Sequence, residues 1–377
     1  MQTEQNYTRT LMSEEKSIGI YLTSMTMGGA ERVALNLCTG LVDNGYDVDL
    51  VLVEATGKLL NDVPTSVSVI SLEANRVAKS LLPLRKYLSS EEPDVLYSMM
   101  TEPNVLALIA KQLAPIRSRL VISEHNMLSN SSGRIKDQFV KKCAWGLYPL
   151  ADKVVAVSEG VKNDLIENTR LERNEVTKIY NSVAVDFIRK QAAEQVDDDW
   201  LIDDSLDVVL AGGRHEPQKR FDTLLDAFAR LNQNNRRLIL FGSGPETEPL
   251  KSQAESLGIE DRVCFLGFVE NPFKYMKAAD VFVLSSEYEG FGLVLIEALA
   301  CGCPVVSTDC ESGPAEILEA GTYGRLVPVG DEDALADAIT ATLNSPINST
   351  LLQNRANDFG IEPSIARYDS LFRSLCK

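Results

Sequence analysis

Two carboxylates, Glu289 and Glu297, bracket the run Gly290-Phe291-Gly292-Leu293-Val294-Leu295-Ile296. The run follows an apolar strand pattern ending at Leu284 and opens a helical pattern that continues through Ala300. Two glycines at a helix mouth let the backbone approach a ligand closely. The first-turn N–H groups of Gly292, Leu293 and Val294 then face an anion, with the helix dipole in support. Glu297 lies one turn beyond Leu293 on about the same face, where it can accept hydrogen bonds from a vicinal diol such as a ribose. Glu289, in the loop before the helix, can reach the hydroxyls of a sugar. A glycine turn followed by an ordinary amphipathic helix explains the same spacing, so spacing alone leaves both readings open.

A second cluster, Gly212-Gly213-Arg214-His215-Glu216-Pro217-Gln218-Lys219, follows the strand pattern Val208–Ala211. Arg214 offers a planar fork to phosphate oxygens and Lys219 a point charge. A cation at a helix start opposes the dipole, so Lys219 is expected to have an anionic partner. A third turn, Met27-Gly28-Gly29-Ala30-Glu31-Arg32, is not GxGxxG, and the dinucleotide fingerprint is therefore missing. It can still bring Gly28 and Gly29 amides to a diphosphate. Of the two histidines, His125 stands in Ser123-Glu124-His125-Asn126 at a strand end, suited to a substrate hydroxyl or to plain capping. His215 has no evident role.

The elements that must place these residues alternate strand and helix throughout, which indicates α/β architecture with parallel sheets. Strand patterns occur at Ile18–Leu22, Val48–Val53, Val67–Leu72, Val95–Ser98, Leu120–Ser123 and Val154–Val157. The pattern restarts with Val208–Ala211, Leu238–Phe241, Val263–Leu266, Val281–Leu284, Pro304–Ser307 and Arg325–Val327. The organisation read from this is a disordered tail over 1–15 and a Rossmann-like domain over 16–185. An acidic linker follows over 186–206, then a second Rossmann-like domain over 207–359. The amphipathic stretch Ile365–Leu375, within 360–377, is expected to pack back on the first domain. Two doubly wound sheets facing each other would form a cleft at the carboxyl ends of their strands.

At 377 residues, 45% hydrophobic and 24% charged, the chain has the composition of a globular protein large enough for two cores. A net charge of −17 argues against nucleic-acid binding, which needs surplus Lys and Arg. Seven scattered cysteines suit reduced thiols in the cytoplasm better than a disulfide framework. Cys301-Gly302-Cys303 lacks a second ligand pair at zinc spacing and reads as small core residues. Asp47-Val48-Asp49 leads into a strand and reads as structural, so no metal site is expected. Basic and aromatic residues gather near Arg76, Lys79, Arg85 and Lys86, and again over Arg134, Lys136, Phe139, Lys141, Lys142 and Trp145. They suit either solvated helix faces or peripheral contact with the inner face of the cell membrane.

Taken together the motifs resemble the family-4 retaining glycosyltransferases of the GT-B fold, over nearly the whole chain. Glu289–Glu297, followed by Ala298-Leu299-Ala300-Cys301-Gly302-Cys303-Pro304-Val305-Val306, matches the family's E-x₇-E signature. Val157-Ser158-Glu159-Gly160, Ile179-Tyr180-Asn181-Ser182-Val183 and Phe241-Gly242-Ser243-Gly244-Pro245 accompany it. Asn181-Ser182-Val183 departs from the commoner Asn-Gly-Val. The resemblance implies that Gly213, Arg214 and Lys219 bind the diphosphate of a nucleotide-sugar donor, with Gly290, Phe291, Gly292, Leu293 and Val294 around it. It implies that Glu297 holds the ribose and Glu289 the sugar, with 207–359 the donor-binding domain and 16–185 the acceptor-binding one. Gly29 would approach the phosphates from the acceptor side, where Gly28, Glu124, His125, Asn126 and Asn181 also lie. Asp309-Cys310-Glu311-Ser312-Gly313-Pro314-Ala315-Glu316-Ile317 looks like the segment of envelope-polysaccharide and glycan-assembly members, which favours a UDP-sugar donor.

The implied reaction is hexosyl transfer to a glycan or lipid-linked acceptor with retention, needing neither cofactor nor metal. His125, Glu289, Arg214 and Lys219 are the expected catalytic groups. The alternatives are a GT-B nucleotide-sugar epimerase and a non-catalytic nucleotide-sugar-binding subunit.

Overall fold

The computed structural model describes residues 16–113, 117–130, 135–231 and 233–376. The expected tail over 1–15 and Arg134 lie outside the described residues. The chain forms two compact units. The first comprises the described residues through Val157, then Val161–Ser182, and the segment from Ile361 onward. The second comprises Ser158–Gly160 and Val183–Gly360.

The first unit is built on a seven-stranded parallel sheet in the order β3-β2-β1-β4-β5-β6-β7. Its strands are β1 (Ser17–Leu22), β2 (Asp47–Leu52), β3 (Ser68–Ser71), β4 (Val95–Met99), β5 (Arg119–Glu124), β6 (Lys153–Ala156) and β7 (Val176–Lys178). Central parallel strands are covered on both faces, so they read as nearly unbroken apolar runs. β4 is buried at every position. β7 has no such run: a charged three-residue edge strand carries no periodic signal, and the sequence reading passed over it. The chain order reverses between β1 and β4, the switch point beside which ligands bind in such sheets.

The helix Ile361–Leu375 belongs to this first unit. Its stripe of Ile365, Tyr368, Leu371 and Phe372 is buried. The Tyr97 and Tyr368 hydroxyls meet at 2.7 Å, and Tyr46 donates to Asp369 at 2.7 Å. Gly40 is small because Ile365 packs where its side chain would be.

The second unit holds a six-stranded parallel sheet in the order β10-β9-β8-β11-β12-β13. Its strands are β8 (Asp207–Gly212), β9 (Arg236–Phe241), β10 (Val263–Gly267), β11 (Val281–Leu284), β12 (Val305–Thr308) and β13 (Arg325–Val327). Here the switch point falls between β8 and β11. The segment 186–206 is not a bare linker. It carries the helices Val185–Ala192 and Asp199–Ile202, the first packed against the helices Pro272–Ala278 and Leu293–Cys301. Val185, Ile188 and Ala192 form one buried stripe whose short length the neighbouring charges masked. Part of the acidic run caps the next turn, where Asp198 accepts from the Trp200 amide at 3.0 Å.

Packing accounts for the Cys301-Gly302-Cys303 and Asp47-Val48-Asp49 motifs. Cys301 and Cys303 are buried around Gly302, which ends the helix Leu293–Cys301 in the left-handed region at φ 78°. Among the described residues, no group of three or more His, Cys, Asp or Glu is placed to hold a metal. Asp49 accepts from the buried Tyr87 hydroxyl at 2.8 Å, a core contact.

Candidate active site

The switch point of the second unit brings together two of the singled-out residues. Lys219, at the end of the short 3-10 turn Pro217–Lys219, donates to Glu289 Oε1 at 2.6 Å. Both side chains are largely buried, at 18% and 12% exposure, so solvent screens the pair less than a surface one. Ser286 adds a hydroxyl to the same carboxylate oxygen at 2.7 Å. The turn is stitched to the loop after β11 by backbone as well as side chains. Ser285 donates to the Lys219 carbonyl at 2.7 Å, Gln218 to the Tyr288 carbonyl at 2.7 Å, and the Glu287 amide to Gln218 at 2.9 Å. The anionic partner expected for Lys219 is therefore Glu289. Ser285, Ser286 and Gln218 carried no motif signal, because serine and glutamine near a turn are ordinary loop composition.

The glycines of this unit make the close approaches possible. A side chain on Gly212 would strike the Phe241 ring, and one on Gly242 would strike the Gly213 carbonyl. Gly213 itself takes φ 142°. Arg220, next to Lys219, is a non-glycine residue in the left-handed region at φ 48°, a conformation that costs about 1 kcal/mol or more and gathers at functional sites.

Arg214 does not join the cluster. Its side chain is 80% exposed and paired with Glu216 at 3.0 Å. His215 is wholly buried between the Phe221 and Phe265 rings, with Nδ1 at 2.9 Å from the Thr247 hydroxyl. Burial lowers its pKa. It locks one loop of the site against the next rather than facing a ligand. Glu297 is partly buried on the second turn of the helix Leu293–Cys301. Gly292 opens that helix with φ 90° and ψ 46°, a conformation that favours glycine. Gly290, Phe291, Leu293 and Val294 are the flanking positions of this mouth. Cys310, buried nearby, has its thiol pushed up to about 12 by burial and then by the Glu289 charge.

The first unit supplies a separate hollow of about 180 Å³ beyond the carboxyl ends of β1, β4 and β5. Thr23, Met100, Glu102, Glu124, His125 and Asn126 are among its lining. Met100 starts the helix Thr101–Gln112 from the left-handed region at φ 76°. His125 is 8% exposed; its Nε2 lies 3.0 Å from the Ser123 hydroxyl. Its Nδ1 has no hydrogen-bond partner among the described residues. Burial brings its pKa down to about 4, so the ring is neutral at physiological pH.

Glu124 is 1% exposed and accepts from Thr101 at 2.9 Å, Asn104 at 3.1 Å, and the Tyr148 hydroxyl. Burial pushes its carboxyl up to about 7 despite those donors. Gly28 caps the helix Gly29–Asp43 next to Glu31, to which Thr26 donates at 2.8 Å. Asn181 is buried with an unpartnered Oδ1 among the described residues, and Ser182 needs no left-handed backbone to replace glycine.

Known proteins resemble the chain across both units. The family model described as Glycosyltransferase Family 4 matches residues 27–187, and that described as Glycosyl transferases group 1 matches 193–359. The N-acetylgalactosamine-N,N'-diacetylbacillosaminyl-diphospho-undecaprenol 4-alpha-N-acetylgalactosaminyltransferase of Campylobacter jejuni is 28% identical, covering 90% of this chain and 94% of its own. The phosphatidyl-myo-inositol mannosyltransferase of Mycobacterium leprae is 31% identical, covering 81% and 77% respectively. The crystal structure of Anabaena Alr3699/HepE in complex with UDP superposes with a TM-score of 0.77 at 24% identity, covering 95% of this chain and 100% of that one. The fold is thus GT-B, two α/β units each on a parallel sheet, and the chain belongs to the family-4, group 1 glycosyltransferases.

Proposed function

We propose that this glycosyltransferase takes a hexose from a UDP-sugar and passes it, with retention of anomeric configuration and without a metal, to a glycan or lipid-linked acceptor of polysaccharide or glycoconjugate assembly. The observation that carries the donor reading is the Lys219–Glu289 pair at the switch point, beside a glycine-opened helix mouth. Departure of the nucleoside diphosphate builds negative charge on its terminal phosphate. The amides of the mouth are fixed donors for such charge, and preorganised donors act on the transition state without reorganising; the Lys219 ammonium beside them adds a cation that exchanges its carboxylate partner for the phosphate.

Glu289 accepts from a sugar hydroxyl and Glu297 from the ribose, while Arg214 swings from Glu216 to a phosphate oxygen. The acceptor hydroxyl attacks the anomeric carbon on the face the diphosphate leaves. The anomeric C–O bond breaks, and the hydroxyl proton passes to the departing phosphate oxygen. His125, neutral and with Nδ1 unpartnered, suits a hydrogen bond to a substrate hydroxyl in the acceptor-side hollow with Asn126.

The names of the relatives favour this substrate class. One acts on a diphospho-undecaprenol-linked acceptor, another on phosphatidyl-myo-inositol, and HepE was crystallised with UDP. Peripheral membrane contact fits the same picture. Phe139 and Leu82 are 66% and 68% exposed, and Trp145 is half-exposed beneath the Arg170 guanidinium at 3.9 Å. No described helix is long and apolar enough to cross a membrane.

A thermal-shift screen of UDP, GDP and their sugars tests the donor, with stabilisation by UDP-sugars expected; response to GDP-sugars alone overturns it. Proton NMR of the product, showing the donor's anomeric configuration, tests retention. Co-sedimentation with anionic liposomes at low and high salt tests the membrane contact, which fails if no protein pellets at low salt.

A further inference from the structure

Two segments that accompany the family motifs, but have no part in the chemistry above, meet at one carbonyl group. Ser312 donates to the Gly290 carbonyl at 2.7 Å, Ser158 reaches the same oxygen at 3.1 Å, and the two hydroxyls lie 2.6 Å apart. Both serines are buried, at 2% and 0% exposure, and both belong to the second unit. The next carbonyl along, that of Phe291, sits where a side chain on Gly313 would be. Gly160 is packed as tightly against the Glu311 carbonyl and Ser312. The Glu159 amide donates to Glu316 Oε1 at 2.7 Å, fastening the same two segments one residue further on.

The consequence follows from peptide geometry. In a trans peptide the C=O of one residue and the N–H of the next point in opposite directions. With the carbonyls of Gly290 and Phe291 both turned toward Ser312 and Gly313, the amides of Phe291 and Gly292 turn the other way. Gly292, in the left-handed region, then hands the chain to the first turn of the helix Leu293–Cys301. Successive amides turned to one side around such a residue form an anion-binding concavity. A buried carbonyl without a donor would cost more than it gains by staying in place, so without the hydroxyls this peptide has reason to rotate.

We infer that Ser158 and Ser312 are positioning residues for the donor: their hydroxyls clamp the Gly290 carbonyl so that the amides at the helix mouth face the diphosphate. The inference rests on the donor reading given above. It assigns no chemistry to either serine, both of which are buried behind the helix mouth's own backbone.

The test is isothermal titration of the full chain and of the variants Ser158→Ala, Ser312→Ala and the double substitution, each with UDP and with uridine. The clamp acts on the diphosphate alone. Each single variant should weaken UDP binding by roughly five- to ten-fold, a change of the size one hydrogen bond supplies, and leave uridine binding unchanged. The double variant should fall well short of the product of the two single effects, because the shortest contacts run as one chain, Ser158 to Ser312 to the carbonyl, which either substitution breaks. If the variants lose UDP and uridine in equal proportion, the serines are merely structural and the inference is overturned; unchanged UDP binding overturns it too. Should Ser312→Ala not fold, Ser158→Ala, which removes the longer of the two contacts, carries the same comparison. A wild-type chain that binds UDP no better than uridine sinks the donor reading itself, a result distinct from any failure of the clamp.

Discussion

Each unit keeps a glutamate at the carboxyl end of its sheet, and the two are held in opposite ways. Glu124 is surrounded by neutral donors, the hydroxyls of Thr101 and Tyr148 and the amide of Asn104, with its carboxyl raised to about 7. Glu289 is held by the Lys219 ammonium with one serine hydroxyl. Neutral donors fixed in a core are not drawn away by an anion as a cation is, so Glu124 ties helix Thr101–Gln112 and Tyr148 to the end of β5, next to His125. An ammonium can be drawn to another anion. Lys219 can therefore move from carboxylate to phosphate and release Glu289 to a sugar hydroxyl, an exchange that Glu124 has no means of making.

The sharpest way to break this contrast is at Lys219. Lys219→Ala should lower kcat by about 10²–10³-fold in a chain that still folds, with a melting temperature lowered by the unpaired Glu289 carboxylate; near-normal turnover would remove the pair from the mechanism. Glu289→Gln should slow transfer by roughly 10²-fold yet bind UDP at least as tightly as the wild type, since it frees the ammonium. Weaker UDP binding in that variant contradicts the exchange. His125→Ala should cost about ten-fold in kcat/KM, with UDP affinity untouched.

Glu124→Gln is expected to act on stability instead, by about 1–3 kcal/mol at pH 5, because its NH2 group must face one of the three donors. The folded-state pKa of Glu124 is raised from 4.5 to about 7, so the folded chain binds the proton more tightly than the unfolded one. The resulting stability is full below pH 4.5 and lost as pH rises through 7. The gap between wild type and Glu124→Gln in urea melts should therefore narrow across that window, and a constant gap would mean that Glu124 does not titrate there. Smallest of all, Arg220→Gly should change stability by less than about 1 kcal/mol, toward stabilisation. The left-handed strain it relieves and the backbone entropy it adds nearly offset.

What could be read beforehand follows from where the physics is local. Val281–Leu284 is legible residue for residue because a buried parallel strand is an apolar run bounded by turns. Lys219 was given an anionic partner from the helix dipole alone, and Glu289 is that partner. The helix Val185–Ala192 was hidden because five nearby aspartates set the composition of a segment whose buried face is only three residues wide. Arg214 looked equivalent to Lys219 by spacing, yet its neighbour Glu216 holds it outward. Ser158 and Ser312, 154 positions apart, share a carbonyl that no linear pattern could have joined. Side-chain partnerships across that distance depend on how strands are ordered in the sheet, which local propensity does not encode.

The return of helix Ile361–Leu375 to the first unit has a consequence for synthesis. Tyr97 and Tyr46 lie early in the chain, and the groups that complete their burial, Tyr368 and Asp369, are translated long afterward. On the ribosome the second unit has all its strands before the first has its last helix. The first sheet must wait with an open flank until residues beyond 360 emerge. A nascent chain arrested just short of Ile361 should then be cut by protease in its first half while its second half resists, and release of the remaining residues should close that difference.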